Sequence, residues 1–299
     1  MLTLRERLQE IDRLLLGQQR SLSFLAPATA ACLAAARRSG AEVNVRFTGH
    51  AESYAHTVGL DAILAGGPPP RIPVTGRSYS PLVELDSHAS IEGCNAVINE
   101  LVEGQLTDYP ALADQAAQII GELHDNVPSH AGGVGFSMAQ LYSVEGFLEL
   151  AVVDCGRGML SNVRRRVGSI GDHAAAIEWC LEKGHTSVLP PDEWAQRLPD
   201  DAMSSPYGET VATRTSDNHH AGLGLWKLNQ IVTAARGEFV VWSGDARVLT
   251  DVSGASREGA LFWRGVAIIL RLPLASAPRN GDQPAQLHEL EALAKRLSL

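Results

Sequence analysis

Apolar residues recur at helical spacing along most of the chain, and in short continuous or alternating runs elsewhere. Leu4, Leu8, Ile11, Leu14 and Leu15 form one side of an amphipathic helix expected over residues 3–20. "SLSFL" predicts a short strand, "APATAACLAAARRSG" an alanine-rich helix closed by Gly40, and "AEVNVRF" an alternating strand. "AESYAHTVGLDAILAGG" predicts another helix. The strand–helix–strand order predicts a small α/β unit over residues 1–75, and "GGPPPRIPVTG" reads as the linker that ends it. Helices follow at 90–103, with Ile91, Cys94, Ile98 and Leu101 on one face, and at 110–126. "GFSMAQLYS" and "GFLELAVVD" predict two strands across a short turn, and 173–183 a helix. Residues 184–221 are rich in proline and small polar residues, which reads as a lid or a disordered segment. "GLGLWKLNQIVTAARG" opens on glycines and runs as a helix to Gly237. Strands follow at "EFVVWSG", "RVLTDVS" and "GVAIILRLP". Residues 285–298, with Leu287, Leu290, Ala294 and Leu297, form a last amphipathic helix. The pattern predicts an α/β chain in three parts: 1–75, 76–275 and 276–299.

The net charge of −9 argues against a nucleic-acid or anionic-membrane surface. An anionic ligand would need a metal ion or backbone donors to offset that charge. No apolar run reaches membrane-spanning length, and the first turn is already charged, so no leader and a cytoplasmic location are expected. Cys32, Cys94, Cys155 and Cys180 are scattered with no C-x-x-C, which fits buried reduced thiols.

Three stretches carry candidate chemistry. In "GELHDNVPSHA", Glu122, Asn126 and His130 lie four apart and share one helical face. Asn126 offers a neutral oxygen suited to a hard cation such as magnesium, Glu122 a base one turn back, and His130 a phosphate contact. A solvated helix edge is the alternative. In "LELAVVDCGRGM" an apolar strand ends at Asp154, followed by Gly156 and Gly158. The glycines let backbone approach a planar ligand, and the carboxylate can accept from an exocyclic amine. A strand–turn with a capping aspartate is the plain reading. In "HHAGLGLWKLNQ", Gly222 and Gly224 precede a helix whose free N–H groups favour phosphate, with Leu225 and Lys227 in its opening turns. A flexible hinge would look the same.

Taken in order, these stretches resemble the Bergerat-fold ATPase superfamily of gyrase B, the ninety-kilodalton heat-shock chaperones, MutL and the histidine kinases. Glu122–Asn126–His130 is similar to its N-box, Asp154-x-Gly156-x-Gly158 to its adenine box, and Gly222-x-Gly224-Leu225 to the box behind its ATP lid. The likeness spans roughly residues 80–275 and is nearest to the anti-sigma-factor serine kinases, whose N-box also reads E-x-x-x-N-x-x-x-H. It implies an α/β sandwich, a mixed sheet with helices on one face, holding Mg-ATP between them. By the same likeness Asp154 binds the adenine amino group, Gly156 and Gly158 make room for the base, and Asn126 ligates magnesium. Glu122 is then the general base, Gly222 and Gly224 hold the lid's end against the phosphates, and residues 184–221 form the lid. Residues 1–66 resemble STAS domains, partners of such kinases.

The chain departs from these patterns in three places. Pro128 interrupts the N-box helix, which puts the position of His130 in question. Val266 follows Gly265 where the family often has threonine. The STAS-like unit has Ala26, Pro27, Ala28 and Thr29 in place of the acidic-serine-serine-glycine turn. The expected function is a Mg-ATP-dependent serine/threonine kinase or slow ATPase acting as a switch on a regulatory protein partner. The alternatives are a non-catalytic nucleotide-dependent binding switch and an S-adenosylmethionine-dependent methyltransferase using "VVDCGRGM". The last helix offers a surface either to its own domain or to a homodimer.

Overall fold

A computed structural model describes residues 2–68, 78–131, 133–183, 185, 224–273 and 283–298. Residues 69–76 of the linker, Gly222 and all of the expected lid except His185 lie outside the described residues. In chain order the helices are α1 (Leu4–Leu15), α2 (Pro27–Arg38), α3 (His50–Val58), α4 (Leu60–Leu64), α5 (His88–Glu103), α6 (Pro110–Asn126), α7 (Met159–Val167), α8 (His173–Leu181), α9 (Gly224–Ala234) and α10 (Gln283–Leu297). The strands are β1 (Ser21–Leu22), β2 (Arg46–Phe47), β3 (Val83–Leu85), β4 (Gly135–Tyr142), β5 (Phe147–Asp154), β6 (Glu238–Asp251) and β7 (Gly254–Pro273).

Several expected elements change form. The helix read through Gly59 splits into α3 and α4 there, because Gly59 adopts φ +88°, a left-handed cap. "EFVVWSG" and "RVLTDVS" join into one strand, β6, whose register with β7 slips on both sides of Gly244. Helix α6 ends at Asn126 and the chain continues as a π-helical turn over Val127–Ala131. Pro128 has no N–H to continue the regular ladder, and the wider turn absorbs that loss. His130 therefore stands on this turn and not on the regular helix that carries Glu122 and Asn126.

β3, β4, β5, β7 and β6 lie side by side in that order, and each neighbouring pair is antiparallel. The mixed sheet implied by the family likeness is thus wholly antiparallel among the described strands. A separate parallel pair joins β1 to β2. Nor are the helices confined to one face. Alternate residues of each strand enter two different cores: Leu148, Leu150 and Val152 of β5 meet α5, α6, α8, α9 and α10, while Ala151 and Val153 meet α1 and α2. Burial on both faces explains why "FLELAVVD" is apolar almost without alternation.

Candidate functional site

The ends of β4 and β5, the end of α6 and the start of α9 supply the residues singled out above. Gly135, first residue of β4, pairs directly with Asp154, last residue of β5. A methyl group placed on Gly135 would come 2.7 Å from Cγ1 of Val127, so glycine there lets the end of α6 settle against the strand end. Beyond the strand, Gly133 lies against Gly156, 3.7 Å from where its own Cβ would stand. Asn126, half-buried, is therefore one residue from a side chain that touches the partner of Asp154.

Asp154 sits in a slot built from backbone. Its carboxylate accepts the Gly156 N–H at 2.7 Å and a further backbone N–H from Val266. A methyl group on Gly265 would lie 2.4 Å from Asp154 Oδ1 and 2.2 Å from its carbonyl oxygen, so no larger residue fits without a shift. The indole N–H of Trp263 donates to that same carbonyl at 3.0 Å. Burial raises the Asp154 carboxyl to about 6, against the pull of the two backbone donors. A desolvated carboxylate with remaining acceptor capacity is the chemistry that takes an amine donor. Gly158 caps α7 with φ +73°, and a methyl group there would meet Ser243 Oγ at 2.9 Å. Ser243 is fully buried; its hydroxyl donates to the Gly265 carbonyl at 3.0 Å and accepts from the Met159 N–H at 3.0 Å. It thereby ties the glycine turn to β7 across the slot.

At the other end, Glu122 approaches Gly224 so closely that a Cβ on the glycine would fall 2.0 Å from the carboxylate Oε2. The first and third candidate stretches thus meet through these two residues. Leu225 is half-buried against the main core, and Lys227 is buried, so its ammonium group does not stand out in solvent. Lys183 lies 4.9 Å from the ring centre of Trp226, which brings the chain before the expected lid to the start of α9. Gly222 lies outside the described residues. Among the described residues no cluster of three histidine, cysteine or acidic groups could hold a metal.

Three residues escaped the sequence reading. Ser243 is one, Gly265 as a steric partner of Asp154 another. His124 is the third: it sits between Glu122 and Asn126, fully buried, with its ring 2.5 Å from Asn95 Oδ1 and 2.8 Å from Ser137 Oγ. A histidine inside an otherwise apolar helix face was the available signal. No described helix is long and apolar enough to cross a membrane. Comparison with known proteins returns no matching family model, no matching curated protein and no matching solved structure.

Proposed function

We propose that the chain is a Bergerat-type ATP-binding protein, a serine/threonine kinase or slow ATPase that switches a regulatory protein partner. The observation that carries this reading is the meeting of the three candidate stretches. Glu122 touches Gly224. The end of α6 touches the strand partner of Asp154. Asp154 is desolvated in a slot that admits no side chain on Gly265. In this reading Asp154 takes the exocyclic amine of adenine, with Gly156 and Gly158 admitting the flat base. Asn126 would hold magnesium through its amide oxygen. When bound, magnesium neutralises charge on the triphosphate. Glu122 receives the proton of the attacking hydroxyl or water, the task for which its place at the start of α9 suits it. Gly224, lacking a Cβ, lets the Glu122 carboxylate reach the first turn of α9, and Lys227 on that helix adds a positive charge.

The methyltransferase alternative loses support. Its glycine turn belongs to a parallel βαβ unit, whereas β5 here is antiparallel to both its neighbours. Calorimetry with Mg-ATP and with S-adenosylmethionine tests the reading; heat from the latter alone overturns it. Glu122→Ala is expected to keep Mg-ATP binding and lose turnover, and equal turnover in that variant would remove the residue from its role.

A further inference from the structure

On α6 the fully buried His124 stands between the two residues on which the nucleotide reading depends. Its Nδ1 lies 2.5 Å from the amide oxygen of Asn95 on α5, and its Nε2 lies 2.8 Å from the Ser137 hydroxyl on β4. The ring N–H donates to Asn95 and the other nitrogen accepts from Ser137, so the neutral imidazole is satisfied on both sides.

The angular position of this residue matters. Each residue advances a helix by about 100°, so His124 stands about 200° round the axis from Glu122, and Asn126 about 200° further on. The histidine is therefore opposite the bisector of Glu122 and Asn126. Leucines such as Leu123 hold a helix by shape, which tolerates a small rotation; two hydrogen bonds to two different elements do not. Beyond Asn126 the regular ladder gives way to the π turn at Pro128, so no ladder downstream can correct the rotation. An aliphatic residue would fill the same space without the cost of burying a polar ring.

We propose that His124, held by Asn95 and Ser137, is the positioning residue that sets the rotation of α6 and aims Glu122 and Asn126; this rests on the nucleotide reading above. The test is His124→Leu, which keeps the volume and removes both hydrogen bonds, with Ser137→Ala and Asn95→Ala as milder variants that remove one bond each. His124→Leu is expected to bind ATP without magnesium within about threefold of the parent, because the Asp154 slot is untouched, while kcat falls at least about tenfold. Ser137→Ala and Asn95→Ala are expected to lower kcat by about threefold and carry the test should His124→Leu not fold. In crystals of the variants the Glu122 carboxylate is expected to leave Gly224. A variant with lowered Tm but parental kcat, or with Glu122 still against Gly224, overturns the proposal. Failure of the parent itself to bind Mg-ATP removes the nucleotide reading, and the crystallographic position of Glu122 then decides the role of His124 alone.

Discussion

Two buried groups near the candidate site pull stability in opposite directions as pH changes. Asp154 is raised from 3.8 to about 6 by burial, so its folded form holds a proton that the unfolded chain has released. Its contribution is present below 3.8 and lost as pH rises through 6. His124 is lowered from 6.5 to about 4 by burial, so its contribution is present above 6.5 and lost as pH falls through 4. Each is worth on the order of 3 kcal/mol across its window, and between pH 4 and 6 they oppose one another. Relative to the parent, Asp154→Asn is expected to gain stability as pH rises from 4 to 6, and His124→Leu as pH falls over the same range. Thermal unfolding at several pH values checks both, and parallel curves for variants and parent would count against the assignment.

Two helices of this chain, α2 and α6, are capped from far away. Helix α2 begins at Ala26 with no side-chain cap, yet Ala28 N–H donates to Glu149 on β5 at 3.0 Å. Glu149 is fully buried, and its other oxygen accepts from Arg271 of β7 at 2.9 Å. Arg271 also donates to the Leu2 carbonyl at 2.7 Å, just ahead of α1. Helix α6 likewise has no side-chain cap at Tyr109, and Glu291 of α10 accepts from Ala111 and Leu112 instead. Despite desolvation, those backbone donors and Lys295 hold the Glu291 carboxyl below its ordinary value. These contacts join the amino-terminal helices to one face of the sheet and α10 to the other. Glu149→Leu is expected to cost about 3 kcal/mol, because buried Arg271 keeps only the more exposed Glu238, 3.5 Å away, as a counter-charge. Adding Arg271→Leu is expected to restore much of that loss, as measured by urea unfolding. Additive losses in the double variant would show that the pair acts by something other than charge compensation.

At the scale of the molecule, one sheet separates two cores. Phe136, Trp242 and Ile269 fill one, under α1 and α2, and Ile119, Leu228 and Leu270 fill the other. The second core is imperfectly filled: a cavity of about 50 Å³ lies among α6, α9, α10 and the sheet, lined by Leu112, Ala116, Leu148, Leu228, Leu270 and Leu287 among others. Its lining is almost wholly apolar, so it favours neither water nor a charged ligand and stands apart from the polar site. Ala116→Val adds two methyl carbons toward that space and is expected to stabilise by about 1 kcal/mol in urea unfolding. A loss of stability would mean that the wall is too rigid to accept them.

Much of the helical skeleton was legible from the residues in order, because amphipathic spacing repeats within one turn. The expected helix at 110–126 coincides with α6, and those at 90–103 and 285–298 differ from α5 and α10 by two residues at most at each end. Helix α7 was missed because "MLSNVRRRV" has only a thin apolar stripe, with Met159, Asn162 and Val163 buried. The three-residue β3 was missed because it is too short to establish a period. Candidate chemistry was legible only as residue types at helical or turn spacing. Local spacing does not say that α1 and α2 close the second face of the sheet. Nor does it say that Glu122 meets Gly224, that Glu149 caps a helix 121 residues away, or that His124 finds Asn95 and Ser137. Those pairings follow from antiparallel strand order and two-sided burial, which bring together groups whose separation along the chain leaves no periodic trace. Periodicity along one segment reveals which face is buried; only the packed chain chooses what that face is buried against.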